Sequence, residues 1–320
     1  MIKVLITGGT GFIGTHLTQL LLSKGYKVEH LIRTKKSNSK VASWLYDADR
    51  GVIEDGAFDL GECSSFHIIH LAGEGIMDKK WSTDRKRVIV ESRVNTIAFL
   101  FKECVRRNVI PASVVSAAGI AYYGLITDDN VIDETFPNST DFIGDCCVKW
   151  EAAAHVFDTY CPVACLRTPL VLDLNKGGFP MMTMPFKFGV KAIVGSGKQW
   201  VPWIHINDLC NMYLFAIENK LKGDFNAVAN SHITYRGLMN ELNGKRDETV
   251  KSSSLNSPTK RYFKSFITVR VPEWAVKILY GSRHKLVTTG SRYSNKAIED
   301  KGFVFHFQDI RLALANLFGK

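Results

Sequence analysis

The sequence contains no uninterrupted apolar run of the roughly 18 residues that a helix needs to cross a bilayer. Its N-terminus also lacks a basic region followed by a long apolar stretch and a cleavage site. Neither membrane spanning nor export is predicted, and the expected compartment is the cytoplasm. The seven cysteines, Cys63, Cys104, Cys146, Cys147, Cys161, Cys165 and Cys210, show neither zinc-type nor thioredoxin-type spacing. They read as buried reduced thiols, and no metal is expected. The chain has no RNP-like motif, zinc-finger spacing or basic stripe interleaved with aromatics. Its 41 Lys+Arg against 31 Asp+Glu, a net charge of +10, are spread along the sequence as a solvated surface, so nucleic acid is not an expected partner.

What is present is ordinary globular material, 46% hydrophobic and 22% charged, enough for one large α/β domain or two coupled lobes. KVLIT (3–7) is a β-rich run that ends at glycines. Phe12, Leu17, Leu20 and Leu21 then recur at helical spacing until Gly25, and KVEHLIR (27–33) reads as a second strand. The alternation continues through FHIIHLAG (66–73), a long basic helix over 83–107, ASVVSAAG (112–119), a helix containing KWEAAA (149–154), and VACLRT (163–168). This rhythm predicts a doubly wound parallel sheet of the Rossmann type. It breaks after Pro169, and 206–219 again reads as a helix, capped by Asn207 or Asp208. We expect a Rossmann domain over 1–168, rejoined by 206–228, and a smaller C-terminal substrate lobe made of 169–205 and 229–320.

In TGGTGFIG (7–14), Gly8, Gly11 and Gly14 lie between a strand and a helix. That arrangement lets a pyrophosphate sit on backbone N–H groups at the helix N-terminus, because the glycines turn the chain and remove the Cβ atoms that would block it. The end of the following strand chooses the dinucleotide: an acidic side chain there bonds the ribose hydroxyls, and a cationic one accepts a 2′-phosphate. The sequence reads LIRTKKSNSK, with no Asp or Glu. Arg33, supported by Lys35 or Lys36, therefore predicts NADP(H).

TGGTGFIG, HLAG (70–73) and WIHINDL (203–209) resemble the extended short-chain dehydrogenase/reductase superfamily, which includes nucleotide-sugar epimerases and dehydratases. HLAGEGI, ESR (91–93), AYYG (121–124), KWEAAA, GSGKQWVPWIHINDL (195–209) and GF-x-F (302–305) together resemble its atypical branch, the epimerase family proteins, which carry their own C-terminal domain. The resemblance implies a nicotinamide dinucleotide cofactor and a second lobe that forms the substrate cleft. It places Thr10, Phe12 and Ile13 with the three glycines at the pyrophosphate, Arg33 at the 2′-phosphate, Leu71, Ala72 and Gly73 beside the adenosine half, and Pro169 toward the nicotinamide.

The same resemblance implies a Tyr-x-x-x-Lys pair whose phenol, lowered in pKa by the ammonium, exchanges a proton while hydride moves. No tyrosine of this chain has Lys four residues later. The expected positions fall near Ile143 and Cys147, and the accompanying Ser/Thr position at Ala118. The remaining candidates are Tyr122 or Tyr123 with Ser116 as the proton-handling group, and Lys149 on the helix that normally supplies the ammonium. Glu74 and His205 are the titratable groups near the motifs and, with Trp200 and Trp203, are expected to contact substrate, the tryptophans as an aromatic wall for a flat ligand. Each also has a purely structural reading as packing, a hydrogen-bonded histidine or a solvated lysine. Two functions follow: an NADP(H)-dependent oxidoreductase or epimerase-like enzyme acting on a small polar substrate, or an NADPH-binding sensor without turnover. Either would be a monomer or a homodimer.

Overall fold

A computed structural model describes residues 1–35, 41–127, 129–245 and 260–319. In chain order the first strands are β1 (Ile2–Thr7), β2 (Lys27–Ile32), β3 (Ala42–Asp47), β4 (Val52–Ile53), β5 (Ser65–His70) and β6 (Val114–Gly119). They join Val163–Thr168 and Gly223–Asn226 in one sheet, whose order from edge to edge is Gly223–Asn226, Val163–Thr168, β6, β5, β1, β2, β3, β4. Every neighbouring pair is parallel except β3 with β4. This is the expected doubly wound Rossmann-like sheet.

The central strands are apolar runs because both of their faces are covered. In β1, Val4 and Ile6 face a core that holds Leu17, Leu21, Leu209 and Tyr213, whereas Leu5 joins Ile97, Leu100, Ala154 and Phe157 on the opposite side. The first face is closed by α1 (Phe12–Ser23) and the helix Ile206–Glu218. The second is closed by α2 (Thr83–Arg107) and α3 (Phe142–His155). Capping side chains fix where the last two begin: Ser82 accepts from Arg85 N–H, and Asp141 accepts from the N–H groups of Ile143 and Gly144.

From β1 the chain winds one way to β2, and from β5 it winds the other way to β6. The crevice at the carboxyl ends of β1 and β5 is therefore the topological switch point, where open α/β sheets bind their ligands. Outside the sheet, Leu170–Leu172 pairs with Trp203–His205, and Val190–Val194 pairs with Ile267–Val271. A third core there gathers Phe179, Trp203, Leu238 and Leu314.

The cap of the helix Ile206–Glu218 differs from expectation. His205 Nδ1 accepts from Asn207 N–H at 3.1 Å, so His205 is the cap. Asp208, fully buried, instead accepts from the N–H groups of His306 and Phe307 at 3.0 and 2.9 Å and ties the helix to the C-terminal segment. All seven cysteines are buried and free. Among the described residues no helix is long and apolar enough to cross a membrane.

Candidate functional site

The glycine loop is shaped by contacts that no side chain would fit. Gly8 has φ +71°, and a Cβ there would lie 2.8 Å from the carbonyl of Leu71. A Cβ on Gly14 would lie 2.3 Å from the Gly8 oxygen. The loop is thus pressed against both the chain after β5 and the first turn of α1. Leu71 N–H donates to Thr7 O at 3.0 Å, and Ala72 N–H reaches the Thr7 hydroxyl at 3.3 Å, which fixes the two strand ends together. Gly11 begins α1 in extended conformation, no described side chain caps it, and no acidic residue occupies the first turn. Those properties suit a helix start that receives a phosphate.

Thr10 is exposed on this loop, and Phe12 and Ile13 are half-buried beside it. The chain beyond Pro169 returns to the same place, because Gly177 packs on the Phe12 ring so closely that a Cβ would approach it to 2.8 Å. Gly73 backs onto buried Arg93, whose guanidinium lies 4.8 Å over the Trp150 ring.

Arg33 stands at the end of β2 and donates to Glu74 Oε1 at 2.9 Å, while Arg85 of α2 donates to Glu74 Oε2 at 3.2 Å. The hydrogen bond from Arg33, with Arg85 assisting, holds the Glu74 carboxyl below its ordinary range. Glu74, expected to meet substrate, is therefore bound between Arg33 and Arg85. Lys35 pairs with Glu54 at 3.3 Å, and Lys36 lies outside the described residues. Arg33 also borders a cleft of about 290 Å3 whose walls include Tyr46, Asp47, Ala48, Ser92 and Asn95. These wall residues escaped the sequence reading. The available signal was that Tyr46 and Asp47 close the third strand of the mononucleotide unit.

On the other side of the switch point, α3 carries Ile143 and Cys147 where the phenol and ammonium were sought. Both are buried, and Cys147 Sγ lies against Gly119 at the end of β6, where a Cβ would meet it at 3.1 Å. Burial pushes its thiol well up, so it stays protonated. Lys149 is exposed and bonds Asp145 at 2.7 Å.

Several candidates are drawn into the structure instead of facing a ligand. Ser116 is fully buried and donates to Ala117 O at 2.9 Å. Tyr123 is buried, donates to Asn226 Oδ1 at 2.8 Å and accepts from Arg167 at 2.7 Å. Burial raises its phenol, outweighing the adjacent Arg167 cation. Arg167 itself makes a two-pronged pair with Glu151 at 2.8 Å on each arm. Trp203 is in the core and donates to Ser231 O at 3.0 Å, and Trp200 donates to Asp129 at 3.0 Å. The void that the two tryptophans share is about 10 Å3, no larger than a water, so they form no open wall for a ring. His205 is buried under Phe307, with ring centroids 3.9 Å apart, and burial lowers its pKa to about 4. A neutral, sequestered cap replaces the proposed substrate contact. Tyr122 alone of the proton-donor candidates stays half-buried, its ring 3.6 Å from the Arg167 guanidinium.

This geometry has counterparts. Residues 4–228 match the NAD dependent epimerase/dehydratase family, and residues 271–317 match a domain of unknown function, DUF1731. The mouse epimerase family protein SDR39U1 is 28% identical over 98% of this chain and 99% of its own. The Bacillus subtilis epimerase family protein YfhF is 27% identical over 98% of this chain and 97% of its own. The crystal structure of human SDR39U1 with NADPH superposes with a TM-score of 0.79 at 27% identity, covering 99% of both chains.

Proposed function

Because the chain belongs to the NAD dependent epimerase/dehydratase family, we propose that it is an NADP(H)-dependent oxidoreductase or epimerase-like enzyme acting on a small polar substrate. The observation that carries the proposal is the placement of Arg33 at the end of β2, bonded to Glu74 beside the switch point and at the mouth of the adjoining cleft. A 2′-phosphate there would meet a guanidinium suited to two-pronged contact. The glycine loop and the N-terminus of α1 would hold the pyrophosphate, and the cleft beside Tyr46 and Asn95 would take the adenosine half. NADPH in the structure of the human relative supports the same choice.

When bound, the nicotinamide supplies the hydride chemistry. The protein contributes binding, orientation and a proton path. With Ile143 and Cys147 unable to titrate near neutrality, the proton donor is Tyr122, whose ring is held in place against the Arg167 guanidinium. Pro169 and the Gly177 loop, which packs on Phe12, would border the cofactor from the expected second lobe of 169–205 and 229–320.

Titration of the purified protein with NADPH and NADH tests the cofactor assignment. NADPH is expected to bind at least tenfold tighter, and Arg33→Ala should erase most of that difference. Equal affinities in the wild type would refute it. NADPH oxidation followed by absorbance with aldehydes, ketones, quinones and nucleotide sugars tests the reaction class. Tight NADPH binding without turnover on any of them would favour the sensor.

A further inference from the structure

Away from the cofactor crevice, three potential ligand atoms converge at the other edge of the sheet. His155 is the last residue of α3, Cys165 lies in the middle of Val163–Thr168, and Asp224 stands directly opposite Cys165 in the register of the edge strand Gly223–Asn226. His155 Nε2 is 2.8 Å from Asp224 Oδ1 and 3.8 Å from Cys165 Sγ, and all three donor atoms lie within 4.8 Å of one another. Among the described residues no other group of three such donors is as close. The ligands are 10 and 59 residues apart in sequence, so no spacing motif announces them.

We propose that His155, Cys165 and Asp224 bind one divalent transition-metal ion of the zinc class. Donors this close can share an ion at bond lengths of about 2.0–2.3 Å with only side-chain adjustment. An imidazole, a thiolate and a carboxylate form a mixed set that suits zinc or cobalt and not magnesium or calcium, which take oxygen ligands. The supporting shell is already built. Asp158 Oδ2 lies 2.8 Å from His155 Nδ1, the carboxylate–histidine arrangement that orients a metal-binding ring. Arg167 approaches the other oxygen of Asp224 at 3.5 Å, and Glu151 already balances its charge.

Cys165 closes the site from within the sheet, while the His155 and Asp224 side chains keep about a quarter of their surface open, which leaves an entry path and a fourth position for water. On binding, the ion takes the place of the thiol proton and of any proton held between His155 and Asp224, and both leave to solvent. The ion would staple the end of α3 to the edge strand of the Rossmann sheet.

The full chain, stripped with a chelator and dialysed against Zn2+ or Co2+ at neutral pH, provides the test. One equivalent of zinc should bind and raise the thermal unfolding midpoint, and cobalt should give a thiolate-to-cobalt charge-transfer band. Cys165→Ala should abolish the band and weaken zinc binding at least a hundredfold, and Asp158→Asn should weaken it about 10–100-fold by releasing the ring. His155→Gln, a change at a helix end, serves as the second variant if the core substitution prevents folding, and it should weaken zinc binding to the same extent. Absence of stoichiometric zinc binding would overturn the proposal, as would a cobalt band or zinc affinity that survives Cys165→Ala or His155→Gln.

Discussion

Arg33 and Glu74 meet at 2.9 Å across the end of β1, joining the strand that follows the glycine loop to the loop that follows β5. A dinucleotide 2′-phosphate would need the same guanidinium, so the Glu74 carboxylate competes with it. Arg33 is 65% exposed and the pair is screened by water, which limits its worth to well under about 1–2 kcal/mol. Glu74→Gln should accordingly tighten NADPH binding by about two- to fivefold and leave NADH nearly unchanged. Fluorescence titration of both reduced cofactors measures the change. Weaker NADPH binding in the variant would mean that Glu74 assists the cofactor instead of competing.

Gly14 offers a sharper test of the loop. A Cβ there would sit 2.3 Å from the Gly8 oxygen and 2.6 Å from the Gly9 Cα, both backbone atoms that cannot swing aside. Gly14→Ala must therefore push the loop off α1, at a cost of roughly 2–3 kcal/mol in stability. It should lower the urea midpoint and remove measurable NADPH binding. Gly25→Ala at φ +81°, with nothing within 4 Å, strains the backbone without touching the loop and should keep cofactor affinity.

The sheet and the cofactor loop could be read from the sequence because their signals are local. TGGTGFIG follows a buried strand and precedes a helix within a few residues, and each apolar run is a strand covered on both faces. Arg33 was likewise visible as the cation that ends β2. Its partner Glu74, 41 residues away, was not, because β5 becomes a neighbour of β1 only through the winding of the sheet. Trp203 and His205 each carry a ligand reading and a structural reading, and the sequence does not choose between them for a related reason. WIH pairs with Leu170–Leu172, which turns Trp203 and His205 inward, and that pairing across more than 30 residues leaves no local signal. Tyr122 and Tyr123 follow β6, as the sequence indicates, but the sequence does not reveal that Asn226 and Arg167 engage the Tyr123 phenol.

Acid should weaken the fold through its buried histidines. Burial lowers the pKa of His70 to about 3, and His67 and His205 to about 4, from an ordinary 6.5. Their folded-state pKa values lie below the unfolded value, so the unfolded chain binds more protons. Their contribution is complete above pH 6.5 and falls as pH drops toward 4, by up to about 1.4 kcal/mol per pH unit for each ring. Urea unfolding between pH 7 and 5 should show this slope. His70→Gln, which removes the ring bonded to Thr7 and Arg93 O, should be less stable at pH 7 yet lose less stability on acidification. An unchanged slope would show that His70 does not contribute.

The adjacent tyrosines should separate structure from chemistry. Tyr123 satisfies two buried groups at once, the Arg167 Nη1 donor at 2.7 Å and the Asn226 Oδ1 acceptor at 2.8 Å. Tyr123→Phe leaves both unpaired and should cost about 1–3 kcal/mol in urea unfolding while preserving NADPH affinity. Tyr122→Phe keeps the ring that stacks on Arg167 at 3.6 Å and should leave stability within about 0.5 kcal/mol. If Tyr122 is the proton donor, that variant should nonetheless lose roughly a hundredfold or more in NADPH oxidation. Full turnover in Tyr122→Phe would move the proton to a water or to the substrate itself. Loss of turnover in Tyr123→Phe alone, with stability intact, would return the role to the buried phenol. The two outcomes differ because one hydroxyl is already committed to holding Arg167 and the other is not required for packing.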